Sequence, residues 1–460
     1  MQLGIDSTCA TGSRPRPAGF PASPALCAAV LALAVPAARA QDPARPDQDP
    51  LSTLRAENRA LRVDFEAMAE RVRANEARLD GLSRGFEGVA VDESRWTDQR
   101  GRSGLGPAAS KVYGGEPGLS IGGYGEILFE SREGATDRFD ALRAVTFIGY
   151  RFDETLVFDS EIEIEHGTTS ASSGTTSSGG SVSLEFGYLD WLATDAFGVR
   201  AGLLLVPLGL VNEMHEPGTF LAAQRSQTEQ RIIPTTWRAP GFGLHGEVGG
   251  FTWRSYALAS LDGEEFNSSG LRGGRQQGNR EAADDLALAA RVDWIDTPGL
   301  LVGVSGWHGD TGQDGIGNAG VAIPALATTV IDVHADWKSG PYWFRGLWAE
   351  AFVDDALAFD VATGRALAER MRGVELEAGF DVFAVLAPER GQSLWAFARH
   401  EWIDTQVSLP PGIARDPAQD DRFWTFGLHW RPLDGISVKA DYTIAEEGRN
   451  GANLLLGYSF

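Results

Sequence analysis

The spacing of connections constrains this chain more than any other feature. Between residues 119 and 460, apolar and polar side chains alternate in runs near 119–130, 140–153, 155–166, 182–193, 197–206, 241–249, 251–260, 286–294, 300–309, 328–337, 342–352, 372–383, 393–403, 423–431, 436–444 and 452–460. The second and third runs join at Asp153-Glu154, the sixth and seventh at Gly249-Gly250, the tenth and eleventh at Lys338 to Pro341. Thr194 to Ala196, Asp296 to Gly299, Ala387 to Gln392 and Pro432 to Gly435 are the other short joins, and the connections between them are long, up to the stretch 206–241. A period of two marks a strand with two unlike faces. Sixteen strands whose connections alternate short and long describe an up-and-down antiparallel barrel with its short turns at one end. A soluble sandwich has no reason to sort its loops this way.

Two features turn the apolar faces outward. The third run sets Leu156, Phe158, Ile162 and Ile164 against Asp159, Glu161, Glu163 and Glu165. Either set could line an interior. Trp and Tyr recur near the ends of runs (Tyr188, Trp191, Trp294, Trp337, Tyr342, Trp424, Trp430, Tyr458), as a girdle at a membrane interface requires. Sixteen strands also enclose a space too wide for side chains alone to fill. The apolar set therefore faces lipid. No stretch after residue 40 is apolar enough for a membrane helix, which does not bear on strands.

Residues 1–40 have the form of a signal peptide. Arg14 and Arg16 precede an apolar core from Ala25 to Pro36, and Ala38-Arg39-Ala40 fits a cleavage site. Cys9 and Cys27 both fall inside it, so the mature chain is expected to carry no thiol. Residues 41–50 form a Pro/Asp linker. Then Leu51, Leu54, Asn58, Leu61, Phe65, Met68, Val72, Asn75, Leu79 and Leu82 follow at alternating steps of three and four. That is a heptad seam, and it predicts a coiled coil over 51–84. A coiled coil needs partner helices, which implies an oligomer. Residues 85–118 are Gly-, Ser- and Arg-containing and are assigned as a second linker. The expected fold class is all-β: a 16-stranded antiparallel transmembrane β-barrel over 119–460, preceded by an N-terminal α-helical coiled coil.

Net charge is −23 and the isoelectric point about 4.7, which argues against nucleic acid as a partner. The first 118 residues hold 15 basic and 15 acidic side chains, so the whole imbalance belongs to the barrel.

The stretch from Val206 to Gly241 is too long for a turn and holds Leu210, Val211, Phe220, Leu221, Ile232, Ile233 and Trp237. A loop this apolar must pack against something. A barrel lumen supplies the walls. The loop also carries Arg225, Arg231 and Arg238 with Glu213, His215, Glu216 and Glu229, the candidate pore constriction. Opposed charges at a constriction select solutes by charge and size, or they pair and fasten the loop. On the lumen wall the inward positions include Arg143, Arg151, Arg200, Arg254, Arg291, Arg345 and Arg399. Facing them are Glu163, Glu375, Glu377 and Asp441, with Glu126, Glu161, Asp293, Asp332 and Glu401.

The segment His215-Glu216-Pro217, the run Ile232-Ile233-Pro234-Thr235-Thr236-Trp237, the Gly241-Phe242-Gly243 that follows and the ending Gly457-Tyr458-Ser459-Phe460 resemble the phosphate-selective porins O and P. The resemblance spans roughly 119–460. It implies a trimeric outer-membrane channel with its third external loop folded inward, and a final Phe460 read by the barrel assembly machinery. Those porins use ladders of lysine and arginine, whereas this barrel has two lysines, Lys338 and Lys439. The expected function is passive diffusion of small hydrophilic solutes, including anions such as phosphate. The expected location is the cell outer membrane, with lipids and two further copies of the chain as partners and the coiled coil in the periplasm. The alternative is a structural or adhesive barrel tethered to periplasmic partners by its coiled coil. The seven histidines, His166, His215, His245, His308, His334, His400 and His429, are scattered, and His215-Glu216 lacks a second histidine four residues on. No cofactor, metal or enzyme activity is expected.

Overall fold

The computed structural model describes residues 104–167, 179–317 and 320–460, together with residues 59, 62, 63, 66 and 68–73. The strands are β1 (Gly118–Arg132), β2 (Arg138–Arg151), β3 (Leu156–Glu165), β4 (Val182–Thr194), β5 (Phe197–Leu205) and β6 (Arg238–Val248). They continue as β7 (Phe251–Ala259), β8 (Leu286–Trp294), β9 (Leu300–Gly309), β10 (Thr328–Ser339) and β11 (Tyr342–Val353). The series ends with β12 (Arg370–Asp381), β13 (Ser393–Ser408), β14 (Asp420–Arg431), β15 (Ile436–Ala445) and β16 (Gly451–Ser459). Each pairs antiparallel with its neighbours in sequence. β1 closes the barrel on β16, from Tyr124 opposite Ser459 to Arg132 opposite Gly451. Closure leaves no sheet edge, so every ladder bond is made inside the wall.

The wall is apolar on its outer side. Along β8, Leu288 is 67% exposed while Arg291 is 3% and Asp293 1% exposed. Facing water, each such leucine would forgo roughly 2 kcal/mol of burial. The same inversion runs round the barrel through Leu119, Ile164, Phe242, Val304, Phe344, Leu376, Phe426 and Leu456, all exposed. Lipid is the solvent that such a surface fits. Large exposed rings gather toward the short turns: Trp191, Phe251, Trp337, Tyr342, Trp430 and Tyr458.

Strand ends depart from the sequence reading in one respect. β1, β2, β13, β14 and β6 all extend beyond the alternating stretches. As a result β1–β2 and β15–β16 are joined by only 133–137 and 446–450, while the opposite end carries a longer connection, 382–392, with a helical turn at Val382–Leu386. Short and long therefore do not alternate strictly. Backbone pairing continues past the membrane belt, because ladder bonds do not depend on apolar side chains.

The lumen is filled by chain rather than by wall side chains. Val206, Leu208, Leu210, Val211, Phe220, Ile232, Ile233 and Trp237 of the β5–β6 connection are buried inside it. So are Leu105, Ala108, Ala109, Val112 and Tyr113, which precede β1. The assignment of residues 85–118 as linker is corrected for this part. Residues 104–115 pack into the barrel, with a short helix at Lys111–Gly114. Their signal was a helical spacing of apolar residues at 105, 108, 109 and 112, hidden among glycines and arginines.

Most of the heptad seam, including Leu51, Leu54, Leu61, Phe65, Leu79 and Leu82, lies outside the described residues, as do residues 1–50. The residues described between 59 and 73 are helical, and the seam residues Met68 and Val72 are exposed in the single chain.

Candidate functional site

The β5–β6 connection crosses the lumen and is tied at both sides. Asn212 clamps its base: Nδ2 donates to the carbonyls of Val206 and Trp237 at 2.7 and 2.9 Å, and Oδ1 accepts the Trp237 amide at 2.6 Å. Glu229 accepts the amides of Leu210 and Val211 at 2.6 and 3.1 Å, which folds the outgoing arm onto the returning one. Ser226 caps the helical turn Gln227–Arg231 by accepting the Glu229 amide.

On the near wall Glu213 pairs with Arg254, which also reaches Asp293. Asp293 in turn holds Arg291 and His334 at 2.8 Å each. The Gly209 amide donates to Asp332 at 3.2 Å. On the far wall, Lys439 of β15 donates to the carbonyls of Phe220 and Ala222, both at 2.9 Å. Asp441 accepts the Ala223 amide at 2.6 Å, Glu401 accepts that of Gln227 at 2.5 Å, and Arg399 donates to the Gln224 carbonyl at 3.0 Å. The loop thus spans from β5 and β6 to β13 and β15.

Above this crossing, toward the long-loop end, lies a cavity of about 460 Å³. Its floor is Gln224, Arg225 and Gln227, and its walls come from β1, β2, β13, β14, β15 and β16. Arg132, Arg138, Arg225, Arg399 and Arg449 face Glu130, Glu401, Asp421 and Asp441 across it. Arg399 is paired to Glu401 at 2.9 Å and Arg132 to Glu130 at 2.9 Å. Arg225 differs: its Nη2 is buried with no hydrogen-bond partner. Burial, with Arg143 nearby, pulls its guanidinium below the usual range.

The expected constriction residues do not converge. Arg225 lines the cavity. Arg231 donates to Gln419 at 2.5 Å and to the Ser269 carbonyl, tying the loop to the β13–β14 and β7–β8 connections. Arg238 pairs with Glu185 of β4 at 2.7 Å. Glu213 and Glu229 are fasteners, as above. His215 sits between the Asn212 carbonyl and Glu161, and burial pushes its pKa down to about 3, so it is neutral. Glu216 accepts the amides of Ala108 and Ala109 and is held up to about 7 by burial.

Of the wall residues, Arg399 and Asp441 line the cavity. Arg143 pairs with Glu126 and Glu163, Arg200 with Asp190, and Arg345 with Asp336. Arg254 and Arg291 belong to the network around Asp293. Arg151 donates to the carbonyls of Tyr113 and Gly115 at the short-turn end. Glu375 and Glu377 are buried, cross-strand from Glu401 and Arg399. The cavity residues Glu130, Arg132, Arg138, Asp421 and Arg449 escaped the sequence reading because they stand at strand ends and turns, where the alternation that marks inward positions has stopped.

No family model matches the chain. An uncharacterised protein of Aquifex aeolicus (strain VF5) is 34% identical over 358 residues, covering 74% of this chain and 78% of that protein. The chain belongs to that protein's family. Among solved structures, a loop-deletion mutant of the outer-membrane protein OmpT of Vibrio cholerae matches with a TM-score of 0.48 and 11% identity, over 74% of this chain and 99% of that one. The outer-membrane channel DcaP of Acinetobacter baumannii gives 0.47 and 13%, over 74% and 97%. An anion-selective porin from Comamonas acidovorans gives 0.46 and 11%, over 75% and 100%.

Proposed function

We propose that this protein is an outer-membrane porin, a channel for passive diffusion of small hydrophilic solutes. One observation carries the reading: a closed barrel with an apolar exterior holds a charged interior, and a loop pinned to opposite walls narrows it. Such a wall belongs in lipid, and such an interior serves solutes that water carries. The arginine-lined cavity at the long-loop end favours anions, phosphate among them, at the entrance. Arg225 lines it with an Nη2 that has no hydrogen-bond partner.

The channel is proposed to be a trimer. β1 begins and β16 ends at the short-turn end, so the helix preceding β1 lies on the periplasmic side in this reading. Exposed Met68 and Val72 favour association of that helix with copies of itself. Phe460 is the proposed signal to the assembly machinery. The same helix keeps a second reading in view, a barrel that tethers the membrane to periplasmic partners.

Single-channel recording in a planar bilayer separates the two. Purified folded protein should give discrete conductance steps, with anions favoured over cations at low salt. A barrel that inserts yet never conducts would leave the tether.

A further inference from the structure

The segment before β1 occupies the barrel from the short-turn end, opposite the cavity. Gly104 lies against Arg254 of β7, and Gly106 against Glu216 of the inner loop. Ala108 and Ala109 donate their amides to Glu216 at 2.8 and 3.1 Å. Tyr113 reaches Asp190 of β4 at 2.8 Å and Tyr188 at 3.1 Å, and Arg200 of β5 donates to its hydroxyl at 3.4 Å. Val112, Ala108 and Ala109 are all buried.

The wall is shaped to take it. A Cβ at Gly149 of β2 would stand 2.6 Å from the Val112 Cβ, and one at Gly122 of β1 would stand 2.9 Å from the Ala108 carbonyl. Real Cβ contacts are never that close, so a larger residue at either position would evict the segment. The segment bonds the inner loop through the Glu216 carboxylate and holds to the wall by hydrogen bonds and by the buried side chains of Leu105, Val112 and Tyr113.

We propose that residues 104–115 are a removable plug that closes the periplasmic mouth and docks on the inner loop through Glu216. The proposal rests on the channel reading. Docked, the plug supports the loop from below and blocks the exit beneath it. Withdrawn, it frees Glu216 and opens the space between the loop and β1 to β5. The bistable element is then a short segment outside the strand ladder, which closes without it, so the segment can leave while the barrel stays folded.

Two measurements on the full chain test it. In planar bilayers, Gly149→Leu and Tyr113→Ala should each raise mean conductance by about threefold or more over wild type, since the narrowest section sets the current. Separately, a cysteine at Val112 in the mature chain, which has no other, should react with a soluble thiol reagent at least about tenfold more slowly than one at exposed Glu116. Combining Val112→Cys with Tyr113→Ala should remove that protection. Equal labelling at 112 and 116 in the wild-type background means that the segment is not docked and overturns the proposal, whether or not Gly149→Leu folds. Conductance that is present but the same in all three proteins overturns the plug and leaves the channel. Silence in all three, with the barrel inserted, overturns both.

Discussion

Lys439 donates to the carbonyl of Phe220 at 2.9 Å, and its ammonium stands 3.8 Å from the centre of the same ring. The two residues are 219 apart in sequence, one on the far wall and one on the inner loop. One of only two barrel lysines is thus committed to holding the loop and does not meet solute. A cation that bonds two carbonyls and faces a ring is hard to replace, because its removal strands both acceptors.

Lys439→Met should therefore loosen the loop at its far end. The barrel should still assemble, with loss of about 2 kcal/mol from the stranded carbonyls. Thermal unfolding followed by circular dichroism should show a lower midpoint, and conductance should become noisier. An unchanged midpoint would mean that Asp441 and Arg399 hold the loop without the lysine.

Arg225 should control ion selectivity, and Arg231 and Arg238 should not. Arg225→Gln removes a cavity-lining guanidinium whose Nη2 has no hydrogen-bond partner, leaving four arginines against four carboxylates. Reversal potentials should shift toward cations by roughly twofold to fivefold in permeability ratio at low salt, and less at high salt. Arg231→Gln and Arg238→Gln should lower stability and leave the ratio where it was. A selectivity shift in Arg238→Gln as large as that in Arg225→Gln would mean that the ion path runs beside Glu185.

Docking of the 104–115 segment should weaken as pH rises. Docked, Glu216 is held up to about 7 by burial, against an ordinary 4.5. Where withdrawal returns Glu216 to water and to its ordinary value, docking takes up a proton, so it is fully favoured below pH 4.5 and fades as pH climbs through 7. The segment's own Ala108 and Ala109 amides and Lys111 oppose the shift, and Glu161 on β3 adds to it, so burial is the cause that carries the sign. Labelling of a cysteine at Val112 should speed up between pH 6 and 8 beyond the ordinary rise from thiolate formation, which the cysteine at Glu116 measures. Glu216→Gln keeps an oxygen for both amides and should flatten the excess. A slope unchanged in that variant would assign the titration to another group.

A peptide of residues 48–86 should form a parallel helical trimer in solution. Sedimentation equilibrium reads the number of chains and circular dichroism the helix. A dimer would keep the coiled coil and sever its link to three barrels. A peptide that stays monomeric and unfolded would remove it.

How much of this was legible in the sequence differs by element. The strands were legible, since a wall with lipid on one side and charge on the other must alternate at every residue, as β3 and β15 do. The inward fold of 206–241 was legible from its apolar residues, which had nowhere else to go. The partners of its charges were not. Arg225, Arg231 and Arg238 look alike as letters, yet Glu185 and Gln419 neutralise or bond two of them, while the third faces the cavity.

What the sequence by itself determined is the barrel: its strand number, its faces and the existence of an inner loop. All of these follow from periodicity and composition, which act locally along the chain. Only the tertiary structure decided which charges fasten and which face the lumen, and that residues 104–115 enter the barrel. Those outcomes depend on pairings between segments far apart in the chain, such as Phe220 with Lys439, 219 residues on. Ion pairs and close packing are set by distances of a few ångströms in three dimensions, and spacing along a chain carries no measure of these.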